Sequence, residues 1–279
     1  MKIFMHWDME GASGIYSREQ VWYWENMVRP QVAAEGIDLI IADANNAAQA
    51  ALEAGVDELI VCDTHHGGGN FIPERMLADP RITWLFRSRG EDNGRMRWMP
   101  GLNETVDGFM LPGHHAKAGT PFAFLPHTQT SKWRDFRING MSVGEMGSEA
   151  CFAGHWNVPV CFAQGDEAAC AEAQATFPGI VTACVKRHVS RDTCTGPTPG
   201  EARALTAHKV KEAVEALRQG LCRPFKVDLP MTVAIDFVDV EDADKAAARP
   251  NAERVAERTV QCTVERQADV LKWLSDTGD

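Results

Sequence analysis

The chain has no CxxC or CxH pair, no run of 18 apolar residues, and no apolar N-terminal stretch with a small-residue cleavage site. The first absence excludes a cysteine zinc site. The other two leave no membrane span and no secretory leader to expect, so the reading is a soluble, cytoplasmic protein. Positive charge is also scarce, with 28 Lys and Arg against 39 acids and a formal net charge of −11. Nothing in that balance attracts a phosphate backbone or an anionic bilayer, so neither nucleic acid nor membrane is an expected partner. The glycine runs GASG (11–14) and GGGN (67–70) lack the Lys-Ser/Thr of a phosphate loop. No repeat and no low-complexity tract interrupts the chain. Eight cysteines, irregularly spaced in a chain too large to need stapling, read as reduced and mostly buried thiols.

With 279 residues, 44% of them hydrophobic, the chain can bury a core in one large domain or two closely associated ones. Apolar runs at 2–7, 57–62 and 107–112 read as buried strands that deliver polar residues at their C-terminal ends. Further strands are expected at 82–86, 158–166, 180–185 and in TVAIDFV and RTVQCTVE. The Asn-Gly pair of FRINGMSVGE marks a hairpin. Helical patterns run from a capping box at Ser17 and Gln20 to about Ala54, with a break near Pro30. Others start at Glu145, cover 167–176, and run from Thr198-Pro199 to about residue 219, with a last one at 268–275. Strands alternating with helices predict an α/β fold, with helices packed around a mixed or mostly parallel sheet. A catalytic region over 1–190 and a smaller C-terminal α/β portion over 191–279, packed on it as one unit, is the expected organisation.

The chemistry concentrates at the ends of the first strands. Asp8 and Glu10 follow the first, the doublet His65/His66 follows the second, His114/His115 follows the third, and Glu145 lies after the hairpin. Asp8 and Glu10, one residue apart, point to the same side of an extended segment. Carboxylates with imidazoles suit zinc, and manganese or iron as well, whereas calcium and magnesium favour oxygen alone. Any one of these motifs is weak by itself, because an Asp-x-Glu after a strand is commonly a solvated loop and a lone histidine commonly sits in surface or core. Seven of the nine histidines fall in the first 155 residues, mostly at strand ends, and that clustering favours a metal site. His6 reads as packing beside the site. His155, His188 and His208 carry no ligand argument. Asp63, two residues before His65, is a candidate to orient an imidazole. Trp7 and Trp133 are candidates to line a pocket, against the simpler reading as core or subunit contacts.

The segments MKIFMHWDMEGASG, VCDTHHGG, GHHAKAGTP, INGMSVGEMGSEACFAGHWNVPVCFAQGD and KRHVSRD occur in the order of a known pattern. In them the chain resembles the DppA-type D-aminopeptidases, the M55 metallopeptidase family, up to about residue 225. The resemblance implies two zinc ions held by Asp8, Glu10, His65, His115 and Glu145, with Asp8 as the bridge. His66 and His114 then become neighbours of the site. It also implies a catalytic histidine after a Thr-Pro step, here His127, with one extra residue between Pro121 and it. Finally it implies removal of N-terminal D-amino acids from short peptides or amides, and a homo-oligomeric ring, a decamer. Two metals sharing an activated water make amide hydrolysis feasible without a Ser or Cys nucleophile. His127, titrating near neutrality, is suited to shuttle a proton to the leaving amine. Departures from the pattern bear on substrate. His6-Trp7 replaces smaller residues, and Arg87, Arg89, Arg95 and Arg97 crowd one segment, either to bind a substrate carboxylate or as a solvated loop or subunit contact. Two other readings stay open: a two-metal hydrolase of another small amide or ester, and a non-catalytic metal-binding oligomer.

Overall fold

Strand β1 (Lys2–Trp7) is apolar on both faces, so it must be covered on both sides. In the computed structural model, which describes residues 1–25, 28–86 and 98–274, it lies inside a seven-stranded sheet. Along the chain follow α1 (Arg18–Val21), α2 (Pro30–Glu53), β2 (Glu58–Asp63), β3 (Ile82–Leu85), β4 (Gly108–Leu111), β5 (Trp133–Ile138) and β6 (Met141–Ser142). Next come α3 (Glu145–His155), β7 (Val160–Asp166), α4 (Glu167–Thr176), β8 (Val181–Ser190), β9 (Thr193–Thr195) and α5 (Pro199–Arg218). The chain closes with β10 (Met231–Phe237), α6 (Val240–Ala247), β11 (Ala252–Arg254) and β12 (Thr259–Val264).

The large sheet has the order β3-β2-β1-β4-β7-β8-β9, parallel except for β9, which runs antiparallel to β8. Alternation along β1 sends Ile3, Met5 and Trp7 to one core, shared with α2 and α5, and Phe4 to the other, shared with α3 and α4. The expected α/β architecture with a mostly parallel sheet flanked by helices is the one observed. A second sheet, β11-β12-β10-β5-β6, is antiparallel and closes its own core with α6. Helix α3 belongs to both: Met146, Ala150 and Ala153 enter the core under the large sheet, and Cys151 enters that of the small one. The sheets interleave along the sequence. Strands β5 and β6 precede residue 190 yet lie in the small sheet, whereas α5 follows it and packs on α2, β7 and β8.

The Asn139-Gly140 turn joins β5 to β6 with both residues at positive φ, as an Asn-Gly hairpin requires. Both capping boxes form, Ser17 with Gln20 and Thr198 with Glu201. The expected helix over 268–275 is absent over the described part of that segment, which instead makes two short 3-10 turns, Gln267–Asp269 and Lys272–Leu274. Tertiary bonds outweigh a segment too short to hold a helix alone: the buried Gln267 amide donates to the Cys151 and Phe225 carbonyls at 3.0 and 2.9 Å. All eight cysteines are free, and only Cys184 is exposed. Among the described residues no helix is long and apolar enough to cross a membrane.

Candidate metal centre

From β1 the chain moves to β2 and β3 on one side, then returns to β4 on the other. A sheet opens its ligand crevice at such a switch point, beyond the C-terminal ends of the strands. Asp8 and Glu10 leave β1 there, His65 leaves β2 in a 3-10 turn, His114 and His115 leave β4, and Glu145 opens α3, where the helix dipole favours a carboxylate. The loops after β1 and β4 meet backbone to backbone. The Asp8 N–H donates to the Pro112 carbonyl at 3.1 Å and the Gly11 N–H to the Gly113 carbonyl at 2.6 Å. A Cβ on Gly11 would fall 2.3 Å from the His114 carbonyl oxygen, and one on Gly113, at φ +76°, would strike the Asp8 backbone. Only glycine permits that approach.

One carboxylate spans two imidazoles. Asp8 Oδ1 lies 2.9 Å from His65 Nδ1, and Asp8 Oδ2 lies 3.4 Å from His115 Nε2. Glu10 Oε2 is 3.2 Å from His65 Nδ1, and Glu145 Oε2 is 3.5 Å from His115 Nε2. All five side chains are buried. Each ring is oriented through its other nitrogen. His65 Nε2 donates to the Val21 carbonyl at 3.2 Å, His115 Nδ1 to that of Ala116 at 3.0 Å, and His127 Nδ1 to that of Leu125 at 2.8 Å. The remaining nitrogens therefore turn toward the acids, the arrangement by which outer bonds fix metal-binding imidazoles. A lone pair facing a carboxylate is repulsive unless a proton or a metal cation lies between them. Glu10 Oε2 and His115 Nε2 are buried and make no hydrogen bond, although each is within ion-pair distance of its neighbour. Three carboxylates buried together cost on the order of several kcal/mol each without counter-charge, which divalent cations supply. The residues fit that role. Ligand atoms of Asp8, Glu10 and His65 form one close group, and those of His115, His127 and Glu145 another.

Electrostatics follow from this crowding. Burial, then the Glu10 charge, raises the Asp8 carboxyl to about 6. Burial resists ionisation of Glu10 and Glu145, but His65 holds Glu10 well below its ordinary value and His115 holds Glu145 at about 2. Burial works against charge on His115, yet Glu145, Asp8 and Glu10 raise it to about 10. His127 goes the other way. Burial, then the neighbouring His115 charge, pushes it down to about 4, so the neutral imidazole prevails where near-neutral titration was expected. Its ring stacks on His115 at 3.7 Å and meets Trp22 edge-on at 5.6 Å, and its Nε2 lies 3.9 Å from Glu10 Oε1.

Several supports were not singled out in the sequence. Trp22 Nε1 donates to Glu10 Oε1 at 2.8 Å, and the Gln129 N–H donates to Glu145 Oε2 at 2.9 Å. The buried Lys186 ammonium holds the Glu10 and Ile15 carbonyls at 2.5 and 2.7 Å. Glu149 accepts from both His6 Nδ1 at 2.8 Å and His114 Nε2 at 3.0 Å, beneath the centre. Glu149 stands one helical turn after Glu145, and that same-face spacing was a usable signal. Trp22 and Lys186 had none.

Other expectations are revised. Asp63 binds no imidazole. It accepts from the Asn70 backbone and side chain at 2.6 and 2.8 Å, fixing the loop that carries His65. Trp7 is in the core and Trp133 stacks on Phe136, while Trp22, Trp24 and Trp98 line the cavity above the centre. His66, at φ +50°, stacks on Trp24 at 3.8 Å and lines the cavity, a neighbour of the site as expected. Arg87, Arg89, Arg95 and Arg97 lie outside the described residues. The cavity has a volume of about 510 Å³ and reaches Asp8, Glu10, His65, His127 and Glu145.

Acids too costly to bury alone, grouped with oriented imidazoles at the foot of an open cavity, define a metal-dependent hydrolase. Known proteins narrow that class. The chain belongs to the D-aminopeptidase family, Peptidase M55, whose family model matches residues 1–275, and this makes it a metallo-aminopeptidase. A D-aminopeptidase of Bacillus subtilis (strain 168) is 29% identical over 273 residues, 98% of this chain and 93% of the relative. A solved structure, the Zn-dependent D-aminopeptidase DppA from Bacillus subtilis, a self-compartmentalizing protease, matches with a TM-score of 0.88 at 26% identity. That match covers 98% of this chain and 95% of the other.

Proposed function

We propose that the chain binds two zinc ions through Asp8, Glu10, His65, His115 and Glu145, and releases N-terminal D-amino acids from short peptides or amides. The observation that carries this is the Asp8 carboxylate, with one oxygen toward His65 and the other toward His115. Asp8, His65 and Glu10 would hold one ion, and Asp8, His115 and Glu145 the other. Divalent cations, when bound, polarise an amide carbonyl and lower the pKa of water. The residues of the chain supply the rest. Trp22 and Gln129 hold Glu10 and Glu145 in place. His127 keeps its Nδ1 proton on the Leu125 carbonyl, so its Nε2 is free to take a proton and deliver it to the leaving amine.

The self-compartmentalizing description of the structural relative supports a homo-oligomer, which we take to be a decamer, working in the cytoplasm on short peptides. The interleaving of the two sheets supports folding as one unit. The test measures metal content and then, on the same sample, hydrolysis of matched D- and L-alanine amides and dipeptides. About two metals per chain with turnover of the D series is the expected result. An active sample without bound metal overturns the proposal, and two metals with no turnover of either series removes the D-aminopeptidase assignment.

A further inference from the structure

The cavity above the centre has acids on its floor and, among its described lining residues, two permanent cations, Arg18 and Arg191. Arg18 is committed: its guanidinium pairs with Glu25 at 2.6 Å and Asp192 at 3.0 Å, and lies over the Trp22 ring at 4.2 Å. Arg191 is exposed, and among the described residues its side chain makes no ion pair or hydrogen bond. Its backbone is nonetheless fixed. The Arg191 carbonyl accepts from the Leu125 N–H at 2.9 Å, and the Leu125 carbonyl in turn accepts from His127 Nδ1 at 2.8 Å. On the other side, Asp192 is held by the Arg18 backbone as well as its guanidinium, each at 3.0 Å. The hairpin between β8 and β9 thus presents a guanidinium at the rim, two hydrogen bonds from the ring proposed to move the proton.

We propose that Arg191 recognises the free C-terminal carboxylate of a short peptide substrate. The inference rests on the aminopeptidase reading and adds which substrates the site prefers. A free dipeptide carries an ammonium at one end and a carboxylate at the other. Asp8, Glu10 and Glu145 are committed to the metal ions, and Arg191 complements the carboxylate. A planar guanidinium with two donor edges is suited to a carboxylate. Arg191 lines the same cavity as the centre, so a short peptide cleaved there has its C-terminal carboxylate within that cavity. A C-terminal amide has no carboxylate to offer Arg191.

The test compares kcat and KM for D-Ala-D-Ala with those for its C-terminal amide, in the zinc-loaded wild type, Arg191→Met and Arg191→Lys. The acid-to-amide ratio of kcat/KM falls about ten-fold or more in Arg191→Met, mainly through KM for the acid. Arg191→Lys, which keeps the charge but loses the fork, gives an intermediate ratio. A ratio within about twofold of the wild type overturns the inference, as does an equal loss for acid and amide, or a variant whose assembly changes while its ratio stays. Failure of the aminopeptidase reading is seen separately, as absence of turnover of both substrates by the wild type.

Discussion

Replacing Asp43 tests whether the loops that carry the centre are held from behind. Asp43 is wholly buried in α2, and its Oδ2 accepts from the Ser13 N–H at 2.7 Å and from Gln164 Nε2 at 2.8 Å. Its Oδ1 accepts from the Ser13 hydroxyl at 3.0 Å. Ser13 lies in the loop that follows Glu10, and Gln164 Oε1 accepts from the Gly113 N–H at 3.1 Å, just ahead of the histidine doublet. Asp43→Ala strands two buried donors, the Ser13 N–H and hydroxyl, at roughly 1–3 kcal/mol each, less the desolvation recovered from the lost charge and what one entering water restores, whereas Gln164 Nε2 keeps the Ser13 and Thr206 hydroxyl oxygens at 3.1 and 2.8 Å. The net cost is about 2–4 kcal/mol. Asp43→Asn keeps an acceptor for the two N–H groups and asks the Ser13 hydroxyl only to turn, so it costs about 1 kcal/mol. For a chain of this length, 1 kcal/mol moves Tm by roughly 2 °C, so the alanine variant should melt about 4–8 °C low and the asparagine variant about 2 °C low. Thermal melts of metal-loaded protein read both. An alanine variant within about 1 °C of the parent, or one that melts above the asparagine variant, refutes the bracing argument.

The same residue gives a pH dependence. Burial raises the Asp43 carboxyl, with the Ser13 and Gln164 donors pulling the other way, so the folded chain holds that proton more tightly than the unfolded chain. Its contribution is fully present below the unfolded value and is lost as pH rises through the raised one, so the stability gap between parent and Asp43→Ala should widen as pH falls. Urea titrations at several pH values check the sign, and a narrowing gap contradicts it. Replacing His127 by Ala should lower kcat about 10²–10⁴-fold while the metal content holds. Loss of metal instead would make His127 a ligand, as its place in the group with His115 and Glu145 allows. Trp22→Phe removes the donor to Glu10 and should weaken metal affinity about tenfold, read by chelator competition. Stripping metal should lower Tm by several degrees, restored by zinc, and a melt indifferent to zinc would show that the buried acids need no cation.

Apolar runs made the parallel strands legible, because strand alternation and capping are local and leave their period in the chain. The hairpin at Asn139-Gly140 was legible for the same reason, since the turn demands positive φ at both residues. The small sheet was not. Its pairing of β5 with β10 joins segments far apart in sequence, and no local period records which strand meets which. The sites divide in the same way. Residue type and placement after strands determined that Asp8, Glu10, one of each histidine doublet and Glu145 should face a common crevice. The doublets looked alike in sequence, and the structure distinguishes their members by backbone: His66 adopts positive φ and stacks on Trp24, while His114 is drawn down to Glu149.

By itself, then, the sequence determined the class of chemistry, because carboxylates and imidazoles at strand ends can be read one segment at a time. Tertiary structure decided how those groups are held. Trp22 against Glu10, Lys186 against the loop after β1, Asp43 behind Ser13 and Arg191 at the rim are all set by contacts that fold closure alone creates. A donor brought in from a distant element leaves no period in the chain that carries it.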